Sequence, residues 1–260
     1  MLKITTVPTK SYTLCGEDVK LSSPCRIDWG DGTITLIENL KQAKHKFKKK
    51  EVQTITVHDL NTRYLSFKFD EEIERIEGTL PYLPDGSLEQ FFYHAFNLKY
   101  VDPNLFELND HHTNLRYLCA GAINLKDISF IRTFVKARDI SYMLYQNISR
   151  RSIDELSDWG RDVEIADYAF AGNPYMSSPR VGVLEAMEKL RSAKGLFKNN
   201  DCMLECYPYF TNNLDLEYID EAFYGCPIAT IDENWLYYLP KSIKTSKYNI
   251  FNKNIKINGM

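Results

Sequence analysis

The residues of this chain that could do chemistry are six cysteines, five histidines and several acidic and basic runs, and their spacing sets what each could do. Cys15, Cys25, Cys119, Cys202, Cys206 and Cys226 include no C-x-x-C pair. Cys202 and Cys206 would share one face of a helix, yet no histidine lies near them to complete a zinc site. All six are expected to be buried thiols, with neither a metal nor a disulfide framework. His111 and His112 are adjacent, so on a helix or a strand they point apart, and they read as loop residues. His94 reads as a variable surface site or a satisfied partial-core histidine. Asp70, Glu71 and Glu72 read as a solvated linker, because glycoside hydrolysis needs two carboxyls facing each other across a cleft. No G-x-S-x-G, phosphate-cradling glycine loop, dinucleotide-binding glycine cluster or H-E-x-x-H occurs. The expectation is therefore a protein that is not an enzyme, with no catalytic residue, no cofactor and no metal.

Charge is equally undirected. Six lysines fall between Lys41 and Lys50 and could attract an acidic surface, but the run has no series of stacking aromatics and the chain carries a net charge of −3, so nucleic acid is not expected as a partner. Lysines on an exposed strand also block edge-to-edge pairing. Asp28 and Asp31 are too few for calcium, which takes about six to eight oxygens. No window approaches the roughly 18 consecutive apolar residues of a membrane span, so no membrane insertion is expected. The first residues lack the apolar core of about 7–15 residues of a secretory signal, which points to a chain that begins life in a cytoplasm.

The elements that would carry these groups begin with a hairpin. Residues 24–37 are two β-rich runs around Asp28, Trp29, Gly30, Asp31 and Gly32, where the glycines supply positive φ, the aspartates accept from turn amides and Trp29 covers the end of a small core. Val52 to Val57 alternates apolar and polar as a half-buried strand does. Further along, Leu88 to Val101 aligns without a gap on Leu115 to Ile128, and weaker copies start at Ile140, Ala166, Ala193 and Ile219. Successive starts differ by 27, 25, 26, 27 and 26 residues, the signature of stacked coils around one core. The fifth residue of each unit, Phe92, Cys119, Leu144, Phe170, Phe197 or Phe223, suits an internal stack. An L-x-x-I/V step predicts a short strand in each coil, preceded by one or two helical turns, and Leu184 to Arg191 predicts a longer amphipathic helix.

Two resemblances add to this. Trp29-Gly30-Asp31-Gly32-Thr33, His45-Lys46-Phe47 and Thr54-Ile55-Thr56-Val57 resemble the conserved blocks of PKD-like domains, which implies a small immunoglobulin-like β-sandwich over residues 1–62. Lys48 to Glu51 stand where that pattern has a glycine before its last strand. Tyr168-Ala169-Phe170-Ala171-Gly172-Asn173, Glu221-Ala222-Phe223-Tyr224-Gly225-Cys226 and Leu156-Ser157-Asp158-Trp159 resemble BspA-type leucine-rich repeats. That implies an α/β leucine-rich-repeat solenoid over residues 63–250, with 251–260 as a cap or tail. The pair resembles the arrangement of tailed-bacteriophage virion proteins, which implies a structural or adhesion role in a tail fibre, baseplate or capsid decoration, as a homo-oligomer or symmetric assembly bound to virion proteins or host cell-surface components. A cytoplasmic or surface repeat scaffold or adhesin binding one protein is the alternative. The 17 tyrosines suit an exposed recognition face, or else stack within the core. Tyr93, Tyr100, Tyr117, Tyr142, Tyr145 and Tyr224, which flank framework positions, are the candidate binding face.

Overall fold

A computed structural model describes the chain except residues 181, 208, 229, 233–234, 236, 245–248, 252–255 and 259–260. Alternating side chains set its first part. In β1 (Leu2–Thr6) and β6 (Thr54–His58) every second residue is apolar and buried: Leu2, Ile4, Ile55 and Val57. These strands pair antiparallel, Ile4 opposite Ile55. On the far side of β6 lie β3 (Lys20–Asp28) and, at the edge, β4 (Ile34–Asn39). A two-stranded sheet of β2 (Thr9–Thr13) and β5 (Lys44–Glu51) adds Tyr12, Leu14 beside it, and Phe47 to the same core. This first part of the chain is mostly β and compatible with a β-sandwich.

The larger sheet does not stop at residue 62. Strand β7 (Ile73–Gly78) pairs antiparallel with β1 on one edge and parallel with β8 (Tyr100–Val101) on the other, giving the order β4-β3-β6-β1-β7-β8. The segment expected to be a solvated linker, Asp70 to Glu72, leads directly into this strand, and the Glu72 carbonyl accepts from the Val7 amide. Its Asp70 carboxylate accepts from the Tyr12 hydroxyl at 2.7 Å and from the amides of Glu72 and Ile73 at 3.1 and 2.9 Å. Burial pushes this carboxyl up to about 6.

Beyond β8 the chain winds in coils that bond to one another. Parallel bridges link Ser87 to Asn114, Asn114 to Asp139, Asp139 to Ile165, Ile165 to Ser192 and Ser192 to Tyr218. Each bridging residue directly precedes the start of a repeat unit. The fifth residues are fully buried, and Phe170, Phe197, Phe223 and Phe251 stack at 5.6, 5.7 and 5.4 Å. A strand β9 (Thr230–Asp232) pairs parallel with β10 (Lys256–Asn258), while the rest of the expected cap or tail, 252–255 and 259–260, lies outside the described residues.

The α/β character expected of these coils is corrected by the structure. The described α-helical residues are few: α1 (Gly182–Glu185), with Trp235 and Tyr237 near the end of the chain. The amphipathic run Leu184 to Arg191 leaves α1 after Glu185, and at its end the Arg191 and Ser192 amides donate to the Glu164 carbonyl of the previous coil, while Leu184, Met187 and Leu190 are buried. Before each L-x-x-I/V step the chain runs in turns where helical turns were expected, and the short 3-10 segments at Glu107–Asn109, Ser129–Thr133 and Asp154–Leu156 come after the step. The L-x-x-I/V step is a strand at Tyr100–Val101 but not at Asp127–Ile128, since coil-to-coil bonding there runs through the bridge column instead.

Gly78 sits at φ +96°, and a Cβ there would lie 2.2 Å from the Met1 carbonyl oxygen. Gly78→Ala should lower stability by about 1–3 kcal/mol, read as a shifted urea midpoint at unchanged slope.

Candidate binding face

The coils repeat a backbone as well as a core. The third residue of each unit, Gln90, Tyr117, Tyr142, Tyr168, Gly195 or Glu221, has φ between 54 and 61°, and the seventh, His94, Gly121, Gln146, Gly172, Asn199 or Gly225, has φ between 54 and 82°. These left-handed residues turn their amides toward the next coil. Tyr117 donates to the Ser141 carbonyl at 3.0 Å and Gly121 to Tyr145 at 2.8 Å. The backbone strain, about 1–3 kcal/mol where the residue is not glycine, is offset by one satisfied donor per turn.

This geometry gathers the tyrosines. Tyr117 and Tyr142 stack at 4.6 Å and 7°, and Tyr142 and Tyr168 at 5.0 Å and 10°. Tyr93 meets Tyr117 edge-on at 5.8 Å, and Tyr145 meets Tyr142 edge-on at 5.5 Å. The column ends where Tyr168 leans over Gly195; a Cβ there would lie 2.3 Å from the Tyr168 ring. Lys198 then joins Tyr168 to Tyr224, its ammonium 6.0 and 5.2 Å from their ring centres, and pairs with Glu221 at 2.5 Å. Burial, with neighbouring phenols and acids, holds the Tyr142 and Tyr168 hydroxyls above their ordinary range. These phenols are therefore uncharged at neutral pH. Their faces cover one another, leaving ring edges and hydroxyls for a partner: a surface suited to hydrogen bonding and contact, with no nucleophile in its stack.

Of the six tyrosines singled out by sequence, the structure brings Tyr93, Tyr117, Tyr142 and Tyr145 into direct contact and reaches Tyr224 through Lys198. Tyr100 lies apart on β8, under the Arg75 guanidinium at 4.2 Å. Tyr168 is the member that sequence reasoning missed, although its third place in the unit, shared with Tyr117 and Tyr142, was a usable signal. Lys198 and Glu221 carried no such signal, because their partners come from different coils.

The hairpin turn is placed by its own side chains. Asp28 accepts from the Gly30 amide and Asp31 from the Thr33 amide, each at 3.0 Å, and Gly30 and Gly32 have φ of 82 and 87°. Trp29 is buried, donates to the Thr35 hydroxyl at 2.9 Å and stacks on His45, which contacts Asp31 at 2.9 Å. Lysines 44, 46, 48, 49 and 50 are exposed along β5, and Lys41 pairs with Asp18. Cys202 and Cys206 do not share a helix; they lie in turn and irregular backbone without a disulfide, and Cys202 is exposed rather than buried as expected. Among the described residues no three His, Cys, Asp or Glu side chains gather as a metal would need, and no helix is long and apolar enough to cross a membrane.

His94 is partly buried and His111 and His112 lie between coils as expected, but the two adjacent rings lie 4.3 Å apart instead of pointing away from each other. His94 drapes its ring over Gly121, where a Cβ would sit 3.3 Å away. His111 stacks on Tyr82 at 4.9 Å and contacts the Leu83 carbonyl, whereas His112 is fully buried with neither ring nitrogen partnered. Such an imidazole is held neutral: burial, then neighbouring His111, lower it to about 4, against the raising influence of Asp85 and Asp110. Comparison with protein-family models, curated proteins and solved structures finds no match to this chain.

Two outcomes follow from these contacts. A double-mutant cycle on Tyr117→Ala and Tyr142→Ala should give a coupling of about 0.5–1.5 kcal/mol, whereas independent rings would give none. For His112 the folded-state value is depressed, so its contribution is whole above the unfolded value near 6.5 and is lost as pH falls toward about 4. His112→Phe should flatten the stability curve across that window, measured by urea unfolding at successive pH values.

Proposed function

We propose that this chain is a non-enzymatic binding protein that presents the tyrosine column of its coils to a partner, as a structural or adhesion component of a bacteriophage virion. The column of Tyr93, Tyr117, Tyr142 and Tyr168 carries the reading. Stacked rings present contact area that is already ordered, so a partner meets a face with little conformational freedom left to lose. The charges beside it are matched between coils, as in Arg116 with Asp139 and Arg138 with Glu164, which suits close contact with a protein or cell surface more than attraction of a polyanion.

The virion setting rests on the sequence blocks alone. On this reading the first strands form a PKD-like sandwich that docks on the particle, and the coils form a leucine-rich-repeat solenoid of BspA kind in which turns replace helices. Assembly would take place in the host cytoplasm, with the tyrosine face toward the host envelope or a neighbouring virion subunit. Such a component is expected at multiples of three, five or six copies per particle.

Negative-stain imaging of purified particles with an antibody to this chain tests the setting: label at symmetric sites is expected, and particles without label would end the virion reading. Replacing Tyr117, Tyr142 and Tyr168 together by Ser tests the face. Adsorption of particles to host cells, or incorporation of the chain into particles, should fall by at least about tenfold, the equivalent of one lost hot-spot contact.

A further inference from the structure

An open sheet edge carries a row of unbonded amides and carbonyls, and proteins blunt such edges with lysine, with proline or by keeping the strand short. Two strands of this chain follow that rule. Strand β5 exposes Lys44, Lys46, Lys48, Lys49 and Lys50, and β8, at one margin of the larger sheet, is two residues long. Strand β4, at the other margin, has six residues and neither lysine nor proline, and it shows Ile34 and Leu36 to solvent, 56% and 67% exposed.

The bonding of β4 fixes which of its groups are open. The Trp29 amide donates to the Thr33 carbonyl at 3.0 Å, and the ladder continues with Ile27 opposite Thr35 and Cys25 opposite Ile37. Hydrogen-bonded pairs alternate in an antiparallel ladder, so Thr35 and Ile37 bond to β3 while Ile34, Leu36 and Glu38 turn their amides and carbonyls outward. Past Leu36 the edge is closed, because the Gln42 side chain accepts from the Glu38 amide at 2.9 Å. Before Ile34 the chain enters the hairpin turn at Gly32. Ile34 and Leu36 are left with two donors and two acceptors that have no partner among the described residues.

We propose that this edge pairs with the same edge of a second copy of the chain, antiparallel about a two-fold axis through Thr35. In that register Ile34 faces the partner's Leu36 and Leu36 faces the partner's Ile34. Each pair exchanges both of its bonds, so every open donor and acceptor of the two strands is met. Other registers fail: setting Leu36 against the partner's Leu36 puts Ile34 opposite the partner's Glu38, whose amide is already held, and the opposite shift sets Leu36 against the partner's Gly32 in the turn. The exposed aliphatic side chains then meet across the axis as apolar pairs. Charge agrees with this. On β3, Arg26 lies beside Leu36 and Asp28 beside Ile34, so each apolar pair is flanked by Arg26 at one end and the partner's Asp28 at the other. A copy therefore matches the edge in length, in side chains and in charge. The pairing does not rest on the virion reading, in which the pair would be the unit that a particle repeats.

Sedimentation of the full chain over a dilution series tests it. Reversible association to twice the mass of one chain, and no further, is expected, since a two-fold contact closes on itself. Leu36→Lys and, separately, Ile34→Lys should each raise the dissociation constant at least about tenfold with an unchanged melting temperature, because one substitution alters a two-fold interface twice. Amide hydrogen exchange reads the bonds themselves. The Ile34 and Leu36 amides should exchange at least about tenfold more slowly in the pair than in dilute protein or in either variant. The mass of one chain at every concentration up to about 1 mM, growth beyond two chains, association undiminished in both lysine variants, or equal exchange of these two amides in pair and monomer would overturn the assignment.

Discussion

Strand β7 is hydrogen-bonded along both edges, and the rest of the architecture depends on that. A strand at the margin of an antiparallel sheet leaves a row of amides and carbonyls open, and the first coil of a parallel stack has the same problem. Here one strand answers both. Its Ile76 faces Ile4 across an antiparallel ladder and Val101 across a parallel one, so the amino-terminal sheet closes the open end of the coils. Asp70 fixes the approach to this strand by holding the Glu72 and Ile73 amides while accepting from Tyr12 of the smaller sheet.

From that start each coil templates the next in two registers. Inside, apolar columns carry the burial: the phenylalanine stack from Phe170 to Phe251, and the eighth residues, where Asn173 and Asn200 replace the earlier alanines. The side-chain N–H groups of Asn173 and Asn200 are bonded, whereas Asn147, at the same place one coil before Asn173, has neither amide atom partnered and the Asn173 Oδ1 is also unmet. Asn173 donates to the Leu144 and Phe170 carbonyls and its backbone amide reaches the Asn200 side chain. Outside, the seventh residues alternate. His94, Gln146 and Asn199 each lie over a glycine of the following coil, Gly121, Gly172 and Gly225, so the outer surface repeats every two coils while the inner one repeats every coil.

The tyrosine column and Arg150 stand in opposite relations to this regularity. In the first, the left-handed third residue aims rings along the stack axis at coil spacing, and the column breaks off where Gly195 removes the next ring. In the second, Arg150 takes the buried place that Leu125 and Met176 hold in the neighbouring coils and leaves its Nε unmet. One is a consequence of the repeat and the other a departure from it.

How much of this was legible from residues alone follows from the range of each interaction. The repeat period was, because every unit must place an apolar fifth residue on one shared spine; each bridge falls one residue before a unit start. The hairpin around Trp29 was, since its aspartates and glycines act within four residues. The helices expected in the coils were not there to be found: Leu184 to Arg191 has a helical pattern, but bonds to the preceding coil outcompete bonds along the chain. Asp70 looked like a linker residue because the Tyr12 hydroxyl that it accepts from lies 58 residues away, and the burial of His112 comes from packing that its neighbours in sequence do not show. Local spacing determined the period, the turn and the candidate tyrosines; the choice of which tyrosines meet, and which polar groups are hidden, belonged to the stacking of coils, where partners are set by proximity across some 25 residues of chain.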